Sequence, residues 1–172
     1  QYCFNTVRVG GMQSAGVQSH SYCFLRSTQS GTWLRNNILN KVRSGPEGTG
    51  IHYGAAFPET EGAIQADFND YWSEGEGRAL GLFGNNIILQ IPMIPGQDTH
   101  SLSADPCFVS ETDLRPLAPE LDGSGVGIPE VPFDHDSILR AESPDIGAYD
   151  FTASPPESGF SGALSDAWEE AA

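Results

Sequence analysis

This sequence predicts an all-β fold, a parallel β-solenoid of three to four short repeats, and three observations point there. The 172 residues include 20 Gly and 12 Pro with abundant Asn, Ser and Thr, a composition for short strands joined by many turns. A unit of Asn with aromatic or apolar flanks recurs as "FNTVRV" at 4–9, "RNNILN" at 35–40 and "FNDYW" at 68–72. Its first asparagines, Asn5, Asn36 and Asn69, lie 31 and 33 residues apart. A second apolar series interleaves with it at nearly the same period: "SYCFLR" at 21–26, "GIHYGAAF" at 50–57 and "RALGLFG" at 78–84.

The pieces are too short for helices and are bounded by Gly and Pro, as in "SGPEGTG" and "SEGEG". Stacked repeats place parallel strands about 4.8 Å apart, so inward apolar side chains form columns. Val7, Cys23, Phe24, Ile38, Leu39, Tyr53, Leu80, Leu82, Cys107 and Phe108 are the expected core. An asparagine at the same turn of every repeat can bond along the stack and satisfy backbone groups at a corner, the role expected of Asn5, Asn36 and Asn69. "ADPCFV" at 104–109 continues the series with Asp105 in the polar slot.

Beyond residue 110 the repeat dissolves. Pro116, Pro119, Pro129 and Pro132 block continuous pairing, so 110–151 reads as a segment that wraps the last repeat, with "SPDIGAYDF" as its final strand. Residues 1–151 thus form one module. Residues 152–158 read as a linker, and 159–172 as a short acidic amphipathic helix with Phe160, Leu164 and Trp168 on one face.

A net charge of −15 argues against a nucleic-acid partner, and no apolar run reaches membrane-span length. No leader-peptide pattern is present, which leaves a cytosolic protein or a processed chain. The charge is uneven: residues 1–57 carry five basic residues against one acid, and 58–172 three against 22. Cys3, Cys23 and Cys107 are too scattered for a zinc site or a disulfide framework and read as buried thiols, with a Cys3–Cys23 bridge as the alternative.

"FNTVRVGG", "LRNNILNKVRSG", "ADFNDYW", "DTHSLSADPCFV", "LAPELDGSG" and "SPDIGAYDF" follow one another across nearly the whole chain. In that order they resemble the C-terminal part of secreted bacterial surface proteins of the pectin-lyase-like class. The usual closing motif there is Pro-Asp-Ile-Gly-Ala-Tyr-Glu, and here Asp150 replaces the Glu. The resemblance implies a right-handed parallel β-helix; this chain departs from it in supplying only three to four coils, a loop-rich C-terminal closure and a short C-terminal helix. It also implies an extracellular or cell-surface location. Its usual members carry many more coils and often end in a sorting domain.

Enzymes of that class act on polysaccharides through a basic residue beside calcium-binding acids, or through clustered aspartates. Asp67, Asn69 and Asp70 are the candidate calcium ligands, calcium being the only cofactor in question. Asp98, His100 and Asp105, and Asp134, His135 and Asp136, form two further polar clusters. Each is also what a solvated turn carries. Arg140 is expected to pair with Asp122 or Asp145 and hold the closing loop.

Two functions are compatible with these features. The preferred one is a non-enzymatic structural or adhesive β-helix that can assemble head to tail into filaments, or pair with an upstream β-helix chain. Its basic end (Arg8, Arg26, Arg35) would face an acidic end carrying Phe160, Leu164 and Trp168. The alternative is a protein that binds or cleaves polysaccharide, as a lyase or hydrolase, or a fragment of one.

Overall fold

The computed structural model describes residues 1–153 except 17, 47–49 and 76–77. The linker beyond 153, the expected helix at 159–172 and its Phe160, Leu164 and Trp168 lie outside the described residues.

The described chain is all-β apart from one 3₁₀ turn at Pro119–Leu121. Nine of its strands fall into three repeats: β1 (Tyr2–Cys3), β2 (Thr6–Val9) and β3 (Ser21–Leu25); β4 (Thr32–Arg35), β5 (Ile38–Lys41) and β6 (His52–Phe57); β7 (Ile64–Asp67), β8 (Asp70–Ser73) and β9 (Arg78–Phe83). Each repeat gives one strand to each of three parallel sheets, in the orders β1-β4-β7, β2-β5-β8 and β3-β6-β9. A tenth strand, β10 (Asn86–Ile88), folds back antiparallel on β9.

Three sheets replace the two strand series expected. The missed series, β1, β4 and β7, is short and mostly polar outward, with inward columns of Leu34 over Ala66 and of Thr32 over Ile64. So few inward apolar positions, broken by a threonine, make no recognisable hydrophobic period.

Register builds the core. Val7, Leu39 and Tyr71 stand one above another, and with Leu34, Ala55, Phe57, Leu80, Met93 and Ile94 they fill the space between the sheets. Cys23 and Phe24 pack against this cluster, as expected of them. Leu82 packs in a second cluster with Tyr53, Ala56 and Ala79, where Tyr22 and Tyr53 of successive repeats stack at 5.5 Å. Phe108 joins a third, with Ile38, Ala118, Leu121 and Ile146.

Cys107 is an exception. It is exposed at φ 49, because its N–H turns back to Asp105 Oδ1 and sends the next side chain, Phe108, inward instead. All three cysteines are free thiols, so Cys3 and Cys23 are not bridged. Burial, the largest influence on it, pushes the Cys23 thiol up to about 12.

The asparagine ladder exists, displaced by one residue from its expected second rung. Asn5 N–H donates to Asn37 Oδ1 at 3.1 Å, Asn37 N–H to Asn69 Oδ1 at 3.1 Å, and Asn69 N–H to Ser101 Oγ at 3.1 Å, each step spanning 32 residues. The side-chain amides repeat the pattern, Asn5 Nδ2 to Asn37 Oδ1 at 2.8 Å and Asn37 Nδ2 to Asn69 Oδ1 at 2.9 Å. The preceding residues, Phe4, Asn36 and Phe68, take φ of 55°, 55° and 56°, which turns the chain from one sheet to the next. Asn36 is therefore a corner residue, for which asparagine is well suited. Its side chain points to the closing segment, donating to Val126 O at 2.7 Å and accepting from Val126 N–H at 2.9 Å. Ser101, not Asp105, is the fourth rung.

The motif "DIGAYD" is no final strand. It crosses back over the outer side of the first two repeats: Gly147 N–H bonds Asn36 O at 2.9 Å, Ala148 N–H bonds Thr6 Oγ1 at 3.0 Å, and Ile146 is buried against Ile38. At φ 110, Gly147 has no room for a side chain: a Cβ there would stand 2.6 Å from Ile38 Cδ1.

Two stability orders follow. Asn69→Ala strands the buried N–H and side-chain amide of Asn37 and should cost about 1–3 kcal/mol per stranded group, Asn37→Ala strands donors of the exposed Asn5 and should cost less, and Asn5→Ala least. Denaturant unfolding of the three variants tests the order, and equal midpoints would remove the ladder from the account. Gly147→Ala should lower the melting temperature more than Gly16→Ala, where φ is also positive but nothing stands within 4 Å.

Candidate functional site

The three expected calcium ligands occupy separate environments. Asn69 is fully buried in the ladder, its Nδ2 donating to Leu34 O at 2.8 Å and Asp67 O at 3.1 Å. Asp70 is also fully buried, with Oδ1 accepting Ala104 N–H at 2.9 Å and Oδ2 without a hydrogen bond. Burial, reinforced by the nearby Asp105, pushes its carboxyl up to about 8, so it keeps a proton at neutral pH. Asn69 Oδ1 is taken by the N–H and side-chain amide of Asn37, so these side chains do not present together the several oxygens that calcium takes. Among the described residues no group of three or more His, Cys, Asp or Glu is placed to hold a metal ion.

Asp67 belongs to a different constellation. Burial raises its carboxyl, but the hydrogen bonds from the His100 side chain, His100 N–H and Phe68 N–H outweigh that and hold it below the ordinary carboxylate value. Oδ1 accepts His100 N–H at 2.7 Å, and Oδ2 lies 2.9 Å from His100 Nδ1. The imidazole stacks on Phe68 at 4.5 Å, with only 7° between the rings. Nδ1 is thus engaged, leaving Nε2 at the edge of a ring whose side chain is 58% exposed.

Strand pairing extends this cluster along the outer face of β4 and β7. Arg35 stands in register with Asp67, and Trp33 with Gln65. The Arg35 guanidinium lies 5.1 Å from the Trp33 ring, which is 43% exposed. The result is one polar and aromatic surface made of Trp33, Arg35, Gln65, Asp67 and His100. Aromatic faces and planar hydrogen-bonding groups of this kind suit the C–H faces and hydroxyls of a sugar. The sequence reading missed Trp33 and Gln65; their signal is the two-residue step to Arg35 and Asp67, the outward positions of paired strands.

The remaining expected site residues are placed otherwise. Arg26 is buried, and its guanidinium donates to the carbonyls of Ser30, Glu59 and Glu61 and to Thr32 Oγ1, bracing a loop rather than offering an assembly surface. Lys41 is buried too, and donates to Arg43 O at 3.0 Å and Glu74 O at 2.7 Å; desolvation lowers its pKa to about 8. Arg8 pairs with Glu111 of its own chain at 3.3 Å. The basic excess of residues 1–57 is therefore largely internal.

Arg140 forms no ion pair with Asp122 or Asp145. It donates to Gly147 O and Ala148 O, at 3.3 and 3.0 Å, and lies 3.8 Å above the Phe4 ring. The two aspartates hold backbone instead: Asp122 accepts Ala153 N–H at 2.8 Å, and Asp145 accepts Gly123 N–H at 2.6 Å and Phe151 N–H. The ion pairs of the closing segment run from Arg115 to Asp113 and to Asp136, each at 2.9 Å. The neighbouring clusters follow the same logic: Asp98 caps Met93 and Ile94 N–H, and Asp134 caps Asp136, Ile138 and Asp150 N–H.

Comparison of the chain with protein-family models, curated proteins and solved structures returns no match. No helix among the described residues is long and apolar enough to cross a membrane.

The raised Asp70 carboxyl sets a pH dependence. Between its unfolded value near 3.8 and its folded value of about 8, the folded state holds a proton that the unfolded state has released. Its effect on stability is absent below that window and grows more unfavourable as pH rises through it. Asp70→Asn should flatten the fall in stability between about pH 4 and 8 and raise stability at neutral pH, as measured by denaturant unfolding across that range. Parallel curves for the two proteins would contradict this.

Proposed function

We propose that this chain is a non-enzymatic extracellular structural and adhesive module, built as a short right-handed parallel β-helix. The observation that carries the reading is where its carboxylates go. Asp67, Asp70, Asp98, Asp105, Asp113, Asp122, Asp134, Asp145 and Asp150 each accept a backbone N–H. Acids engaged in holding the chain support a scaffold better than a hydrolytic centre. The face of Trp33, Arg35, Gln65 and His100 then serves for contact, and a polysaccharide is the partner its chemistry suits.

The two ends of the stack differ. β7, β8 and β9 are covered by Gln97 and Asp98, by Leu102 and by β10, whereas β1, β2 and β3 each have one neighbouring strand. A further parallel coil, from a second copy or from another β-helix segment, extends those edges by backbone pairing. Because Arg26 and Lys41 are buried, backbone pairing and not charge is the driving term in this reading.

Polysaccharide pull-down with the full chain tests the adhesive part. Trp33→Ala should reduce retention about tenfold or more, in line with loss of an aromatic anchor. Retention that ignores both Trp33→Ala and His100→Ala would sink it. Release of new sugar ends by the wild type, abolished by Asp67→Asn, would favour the polysaccharide-cleaving alternative, in which Asp67 orients His100. Sedimentation across a salt series addresses assembly: association that persists at high salt is expected, and monomers at every concentration would remove the second copy as the partner.

A further inference from the structure

The motif "RNNILN" ends in Asn40, which takes no part in the ladder. β5 sends Ile38 outward against the closing segment and Leu39 inward to the core, so alternation turns Asn40 and Val42 outward as well. Arg8 stands in register with Asn40 on one side and Trp72 on the other, and Glu74 lies two residues beyond Trp72, on the same outward side. Across a cavity of about 280 Å³ these residues meet Asp105, Phe108 and Glu111 of the closing segment. The outer face of the second sheet and the segment that wraps it thus enclose one polar pocket.

Asn40 is only 3% exposed, and its buried Oδ1 has no hydrogen-bond partner. A half-turn about χ2 exchanges the oxygen and nitrogen of this amide, so the acceptor can face the cavity. Buried polar groups left unmet are costly, and native structures rarely keep one without a ligand or water to bond.

Three carboxylates line the cavity against one cation. Arg8 pairs with Glu111 at 3.3 Å and offsets it. Asp105 accepts Cys107 N–H through Oδ1, which leaves Oδ2 open. The exposed Glu74 side chain enters no ion pair among the described residues. Lys41, next to Asn40, points to the opposite side of β5 and spends its ammonium on the carbonyls of Arg43 and Glu74. Two carboxylates therefore stand uncompensated beside a buried amide.

We propose that this cavity binds a primary ammonium on a short alkyl stem, the ammonium held by Glu74, Asp105 and Asn40 Oδ1 and the stem lying against Val42 and Phe108. An ammonium carries three donors and no acceptor, which matches two carboxylates and an amide oxygen. A bare metal ion fits less well: among the described residues no three acids are placed to hold one, and Val42 and Phe108 give it nothing to bond.

Calorimetric titration of the full chain tests the site with n-butylammonium, tetramethylammonium and 1-butanol. Physiological salt screens the diffuse attraction of cations to a chain of charge −15. Saturable binding of n-butylammonium is expected, with the other two about tenfold weaker or more, because one lacks donors and the other lacks charge. Glu74→Gln and Asp105→Asn should each weaken it about tenfold. Asn40→Leu should weaken it too, without lowering the melting temperature of the free chain, since it removes an unmet buried polar group. Arg8→Gln releases Glu111 and should tighten binding. Nα-acetyl-lysine amide binding as tightly as n-butylammonium would assign the site to lysine side chains, and weaker binding to free amines; both support the proposal. Absence of saturable n-butylammonium binding would mean that water meets Asn40 and would overturn it. Equal affinity for tetramethylammonium or 1-butanol, insensitivity to Glu74→Gln and Asp105→Asn, or weaker binding by Arg8→Gln would overturn it as well.

Discussion

A backbone N–H that leaves a β-ladder without reaching water must find another acceptor, and in this protein side-chain oxygens of Asn and Asp supply it. The strands are two to six residues long and are separated by corners and long loops, so ladder bonds satisfy only part of the chain. At the corner between the first two strands of each repeat, Asn5, Asn37 and Asn69 carry the bonding from one repeat to the next, and Ser101 ends it. Each rung serves as donor and acceptor at once, so the repeats are locked in register at the point where the chain changes direction. The columns of Val7, Leu39 and Tyr71 depend on that register.

The same rule organises the half with no strands. From residue 104 to 151 the chain winds over the outer face of the second sheet, and aspartates hold it there residue by residue. Asp145 and Asp150 illustrate the economy: Asp150 accepts Asp145 N–H and Ala141 N–H, while Asp145 accepts Gly123 N–H and Phe151 N–H, so two carboxylates hold four backbone positions of the closing segment. Burial raises the Asp145 carboxyl to about 6 in spite of those bonds, so the arrangement is held at an electrostatic cost. Arg140 adds a cation over Phe4 and reaches the carbonyls of Gly147 and Ala148, joining the end of the described chain to its beginning.

This changes what the acidic composition means. A charge of −15 looks like a surface property, yet many of the carboxylates are internal fasteners, and the basic residues Arg26 and Lys41 are fasteners for carbonyls in the same sense. The Trp33–His100 face and the edges of the first repeat are not spent in this way.

The all-β class and the repeat were legible in the sequence because both rest on local chemistry: Gly and Pro bound short strands, and Asn recurs wherever the same turn recurs. Even so, the adjacent pair Asn36-Asn37 concealed which residue is the rung. Both suit a tight corner, and only stacking against Asn5 and Asn69 distinguishes the inward amide from the one that turns out to Val126. The first sheet was illegible because its strands are short and their inward columns mix polar with apolar residues, Thr32 over Ile64 beside Leu34 over Ala66. The course of "DIGAYD", the partners of Arg140 and the face shared by Trp33 and His100 depend on contacts between residues far apart in the chain. Sequence spacing carries no information about those; parallel register and the return of the closing segment over Thr6 and Ile38 decide them.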